Sequence, residues 1–253
     1  MAACPLFQKA SIRRLNALVL IVIFYGLCHT SLAQYSTISL NLDQDVNQWF
    51  DHQIGKENAG LIHGHYQVIT RANYIYHPFY GSDRWVTGQV RYRNRLYENV
   101  ALMYNILEDY LIIQHPTNLI LINQPIRLEE NWVDYFTIAK HVFKYIDTGH
   151  PSITPGYYEE LYKGKALSVI VKREKTGSIN SSNKLMKYTQ RNKHFIELGK
   201  NYYRIRGMST YFKLFKPHKK ELKAYIKAKG LIIGKDRDMG LVQLTKYCER
   251  MVP

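Results

Sequence analysis

The sequence predicts an α+β protein, mainly an antiparallel β meander of hairpins with a C-terminal pair of α-helices. Three observations carry this prediction. From Trp85 to Ile205, short runs rich in Val, Ile, Leu and Tyr are punctuated by turn residues. Several of these runs alternate with the period of a strand. After Pro217 the period changes, and Leu222, Tyr225 and Ile226 fall three and four apart among lysines, the spacing of one helix face.

The first 33 residues read as an export signal. Lys9, Arg13 and Arg14 form a positive start with no acidic residue near them. The apolar run Leu15 to Cys28 is shorter than the roughly 20 residues that span a bilayer as a helix. Ser31-Leu32-Ala33 places small residues where a signal peptidase reads, so the mature chain is expected to begin at Gln34. A lipoprotein reading at Cys28 fails because bulky Leu27 sits where a small residue is wanted. Cys4 and Cys28 leave with the signal. Cys248 then remains alone, no internal disulfide can form, and the core must hold the fold.

The strands follow in order. Trp85 to Tyr92 is one, and Arg93-Asn94-Arg95 turns the chain, Asn94 being suited to positive φ. Leu96 to Val100 continues, and Val100, Leu102, Tyr104 and Ile106 alternate with smaller or more polar residues. Leu111 to Ile113 and Leu119 to Ile122 are short apolar runs separated by His115-Pro116-Thr117-Asn118. Trp132 to Thr137 and His141 to Ile146 extend the series. After Pro155-Gly156 come Tyr157 to Tyr162 and Ala166 to Lys172, with Leu167, Val169 and Val171 on one face. Thr176 to Asn183 reads as a flexible surface loop. His194 to Leu198 and Asn201 to Ile205 make a last hairpin about Gly199-Lys200. Pro217 is expected to open a helix that Gly230 ends. Asp236 or Asp238 caps a second, with Leu241, Leu244, Thr245 and Cys248 on one face.

The organisation is a signal peptide over 1–33, a β-rich part over 34–155, and a basic part over 156–253 that packs with it as one unit. Charge marks the boundary. Residues 34–155 carry 9 Lys and Arg against 12 Asp and Glu, a net of −3, and residues 156–253 carry 23 against 8, a net of +15. A basic region of this kind attracts an anionic surface or partner. If the helix after Pro217 forms, Lys219, Lys220, Lys223 and Lys227 face outward as the candidate contact, with Lys216 and Lys235 beside them.

Three segments carry a resemblance. Gly88-Gln89-Val90-Arg91-Tyr92 with Leu96 to Asn105 resembles a recurrent block in exported proteins of Bacteroidota of no established activity. Gly156-Tyr157-Tyr158 with Leu161 to Lys165 is similar to their next block. Lys219 to Ile226 followed by Lys235-Asp236-Arg237-Asp238 is similar to their ending. The resemblance implies a bacterial envelope location and assigns no functional residue.

Catalytic and cofactor chemistry leaves little trace. His63-Gly64-His65 would place two imidazoles on one strand face, but a metal needs a third or fourth ligand, and nothing in the spacing selects His77, Asp83 or Asp51. Glu129, Glu130 and Asp134 could pair as carboxylates only at a separation that sequence does not fix. There is no Gly-x-Ser-x-Gly elbow, His-Glu-x-x-His or phosphate-cradling glycine loop. Cys248 reads as an inert core thiol. The 21 tyrosines suit strand packing as well as ligand contact. The expectation is therefore a non-enzymatic binding or structural module of the periplasm or cell envelope. It has no cofactor, no metal, no nucleic-acid partner and no transmembrane helix once the signal is removed. Its partner is an anionic envelope component or an acidic protein. The alternatives are an envelope hydrolase with an unmarked site and a carrier of an apolar ligand.

Overall fold

A computed structural model describes residues 60–69, 76–115, 124–182, 184–231 and 237–252. Every described residue belongs to one compact unit. The export signal, Asp51, the run Leu119 to Ile122, Lys235 and Asp236 lie outside the described residues.

The described strands form one antiparallel sheet of 11 strands. They are β1 (His65–Tyr66), β2 (Val86–Tyr92), β3 (Arg95–Asn105), β4 (Tyr110–Ile113), β5 (Ile126–Arg127) and β6 (Val133–Ile138). Then come β7 (His141–Ile146), β8 (Gly156–Lys163), β9 (Leu167–Ile179), β10 (Met186–Leu198) and β11 (Asn201–Ile205). From β6 to β11 the order in space is the order in sequence, a simple meander. At the other end, β2, β3, β4, β5 and β1 continue outward from β6. The charge boundary at Pro155 and Gly156 falls between β7 and β8, which pair directly, so the sheet runs across it.

Local chemistry sets the turns and the curl. Arg93 and Asn94 both take positive φ, 51° and 63°, as a two-residue hairpin between twisted strands requires. Gly88 marks a register shift in β2, and a Cβ there would collide with the Thr137 carbonyl on β6. The sheet curls until the turn after β3 meets β9. The Lys175 backbone N–H donates to the Ile106 carbonyl at 2.9 Å, and the Lys175 ammonium donates to the His77 and Phe79 carbonyls. Lys172 pairs with Asp109 at the same seam.

The concave side of the curl is filled. Tyr104, Phe136, Phe143 and Tyr157 are almost wholly buried and meet with ring centroids 4.9 to 5.7 Å apart. A second core lies beneath three helices, α1 (Met208–Leu214), α2 (Lys219–Lys229) and α3 (Arg237–Cys248). Leu167, Val169, Ile196 and Ile205 from the sheet meet Tyr211, Phe215, Leu222, Leu241, Leu244 and Cys248 there.

The α+β reading holds, with three differences. The segment expected as a loop from Thr176 continues as strand to Ile179, because β10 pairs with it residue for residue back to Met186. Pro217 lies in a 3-10 turn, Lys216–His218, and α2 begins at Lys219. A short helix, α1, precedes the expected pair, its Tyr211 buried among the helices and its hydroxyl bonded to Thr245 at 2.7 Å.

Candidate functional site: a cationic groove beside a charged bolt

Helix α2 realises the face expected of it. Leu222 is buried, and Tyr225 and Ile226 pack partly buried on the same core. Lys219, Lys220, Lys223 and Lys227 are all exposed. Gly230, at φ 57°, closes the helix by donating its N–H to the Ile226 and Lys227 carbonyls, a left-handed cap.

The short helix α1, absent from the sequence reading, gives this face its shape. Ser209, Phe212 and Lys213 stand three and four apart on α1, so they form one wall. Lys216, Pro217, Lys219 and Lys220 form the other. Between them is a recess of about 870 Å³. Lys223 stands at the rim, its ammonium 5.9 Å from the Phe212 ring centroid. Of the four lysines expected at the contact, the fold brings Lys219 and Lys220 into the recess and leaves Lys227 further along α2. Lys213 and Lys216 complete the recess.

The electrostatics are one-sided. From Arg204 to Lys229 there are 9 Lys and Arg and a single carboxylate, Glu221, a net of +8. Glu221 is itself engaged: the Tyr247 hydroxyl donates to it at 2.6 Å and holds its carboxyl below the ordinary value. Lys213, Lys216, Lys219, Lys220, Lys223, Lys227 and Lys229 are exposed, and none has an ion-pair partner among the described residues.

A second polar constellation lies under α3. The strand registers set Glu159, Val171 and His194 side by side, and Arg173 follows two residues on, on the same face. Glu159, only 1% exposed, accepts from Arg173 Nε at 2.6 Å and lies 2.5 Å from His141 Nδ1. Arg173 Nη2 donates to Asp238 at 2.6 Å, and His194 Nε2 lies 2.7 Å from the other Asp238 oxygen. Burial pushes the Asp238 carboxyl up, but bonds from His194 and Arg173 outweigh it and hold the value at about 2. Each carboxylate thus gives one oxygen to Arg173 and the other to a histidine. The arrangement bolts the first turn of α3 to three strands. No spacing signal announces it, since β pairing and the docking of α3 assemble it from distant residues.

The remaining candidates disperse. His63 lies in a 3-10 turn, Gly60–His63, while His65 is on β1, so the two do not share a strand face. His65 Nδ1 instead meets Glu129 at 2.7 Å. Glu130 pairs with Arg127 and Asp134 with Arg91, each on its own cation. His77 is held below its ordinary value by burial, with the Lys175 charge acting in the same direction. Among the described residues no three His, Cys, Asp or Glu side chains are grouped to hold a metal ion. Cys248 is buried, and burial pushes its thiol up to about 12, the setting of an unreactive thiol. No family model, no curated protein and no solved structure matches the chain.

Proposed function

We propose that the protein is an exported, non-enzymatic binding module of the bacterial cell envelope that holds an anionic lipid surface through the cationic face of α1 and α2. The observation that carries this reading is the set of seven exposed lysines with no carboxylate partner among the described residues. A purely solvated face gains by interspersing both signs of charge. Here nine cationic residues share 26 positions with one carboxylate, Glu221, at the mutual repulsion that entails. The apparent export signal supports an envelope location. So does the likeness of three segments to exported Bacteroidota proteins. No described helix is long and apolar enough to cross a membrane, so attachment by surface charge is the mode these elements favour.

Exposed charges act over about 8 Å at physiological salt, so the contact weakens steeply as salt rises. Replacing Lys219, Lys220, Lys223 and Lys227 together by Glu leaves the thermal midpoint little changed, because solvent-facing charges contribute little to stability. The same change releases the protein from phosphatidylglycerol vesicles in a sedimentation assay. Wild-type protein that shows no salt-sensitive binding to such vesicles sinks the proposal. Binding only to an acidic protein would move the partner to that class.

One observation favours a hydrolase as a second reading. His141 is half exposed while buried Glu159 holds its Nδ1 side, the way a general base is oriented. A hydrolytic activity that disappears in His141→Ala would carry that reading. The carrier reading has less in its favour, because aromatic side chains fill the concave side of the sheet.

A further inference from the structure

A uniformly charged basic face would serve for attraction to a membrane, yet α1 and the start of α2 border an open, shallow recess where lysines gather. We propose that this recess binds a phosphomonoester headgroup, an inference that rests on the α2 face being turned to an anionic lipid surface. Four lysines border the recess, Lys213 from the α1 wall and Lys216, Lys219 and Lys220 from the facing one. Among the described residues no arginine lines it. A guanidinium fork would bind a carboxylate or a phosphate alike in two parallel bonds, whereas separate ammonium groups are point charges that can approach a tetrahedral anion from several sides. Four cations with no ion-pair partner among the described residues also ask for more than one negative charge. A phosphodiester brings one charge, whereas a phosphomonoester brings about −1.5 to −2 at pH 7 and three acceptor oxygens.

The other lining groups fit the same ligand. Phe212 and Pro217 offer an apolar floor for the carbon skeleton that bears the phosphate, and the Ser209 hydroxyl can donate to one of its oxygens. The volume, about 870 Å³ and open to solvent, leaves room for a headgroup that stays attached to its lipid. Lys223 at the rim, with Lys227 and Lys229 further along the helix, is left to meet the surrounding surface charge.

The test compares phosphatidylcholine vesicles doped with phosphatidic acid or with phosphatidylglycerol, matched for surface charge, at physiological salt. Wild type binds the phosphatidic acid vesicles at least about tenfold more tightly. Lys213→Ala with Lys216→Ala abolishes that preference, and so does Ser209→Glu, which sets a carboxylate among the lysines. Lys227→Ala with Lys229→Ala removes the same formal charge, weakens binding to both vesicles alike, and keeps the preference. All three variants keep the wild-type melting temperature. If wild type binds both vesicles equally, or the two lysine pairs behave alike, the recess is not a headgroup site while the lipid-surface reading stands. If neither vesicle is bound, the lipid-surface reading falls, and soluble glycerol 3-phosphate followed by phosphorus NMR decides the recess. A shift lost in the Lys213→Ala, Lys216→Ala variant retains a soluble phosphomonoester as ligand, and no shift overturns the site.

Discussion

Asp238 shows how one residue can tie an element to the sheet. It sits in the first turn of α3, where a carboxylate also suits the positive end of the helix dipole. Arg173 and His194 hold it from below. Its folded value of about 2 lies under the ordinary 3.8, so it contributes stability that is complete above about pH 4. That contribution is lost as pH falls from the ordinary value through about 2. Partial exposure lets solvent screen the pair, so the effect is read as a direction. Asp109 runs the other way, since burial raises it despite Lys172, and the comparison of two proteins that share Asp109 cancels its part. Asp238→Asn is therefore less stable than wild type at neutral pH, and the gap closes towards pH 2. Thermal melts from pH 7 to pH 2 check this; parallel curves for the two proteins would refute it. None of this was legible in the sequence. Glu159, Arg173, His194 and Asp238 are far apart in the chain, and charged residues on a strand ordinarily face solvent. The lysines of α2 were legible because neighbours at helical spacing decide which way each one points.

Among the elements, those whose signals are local could be read and those fixed by partners could not. The β2–β3 hairpin declares itself through Asn94, and β7 has the limits its apolar run suggests. The Ser and Gly content of Thr176 to Asn183 speaks for a loop, yet β10 supplies a ladder partner for each residue from Thr176 to Ile179. Tyr188 lies across from Gly177 in that ladder, and a Cβ at Gly177 would meet its ring and the Met186 sulfur. Cross-strand packing of this kind overrides local preference. Helix α1 escaped notice because seven residues are too few to show a helical period. Helix α2 was clear at both levels, and its end is fixed by backbone geometry that only glycine adopts without strain. Gly230→Ala places a Cβ at φ 57°, and no atom within 4 Å obstructs it, so the cost is conformational alone. The expected loss is about 1 kcal/mol. Urea unfolding measures it. A variant as stable as wild type would mean that the left-handed cap is not held in solution.

At the scale of the whole molecule, charge and compartment belong to one argument. A single sheet joins a slightly acidic part to a strongly basic one, and the basic part carries the helices whose outer lysines have no carboxylate partner among the described residues. Inside a cell such a face would meet nucleic acid, the most abundant polyanion there, and would bind it without specificity. Export, as proposed, would remove that competitor and leave anionic lipid as an abundant counter-surface. The proposal therefore depends on the leader being read as a signal and removed. The apolar run from Leu15 to Cys28 has 14 residues, below the roughly 20 that span the hydrocarbon core as a helix. Ser31 and Ala33 are small enough for the peptidase, and no charged residue stands between Arg14 and the cleavage point. Expressed in a bacterium with intact export, the protein should be recovered outside the cytoplasm with Gln34 at its N-terminus, 33 residues shorter than the translated chain. Intact mass and N-terminal sequencing read this directly. A chain that retains Met1 in the membrane fraction would make residues 1–33 an anchor, and attachment would then need no help from lysines. A full-length chain in the cytoplasm would return nucleic acid as the competing partner and remove the ground for a lipid one.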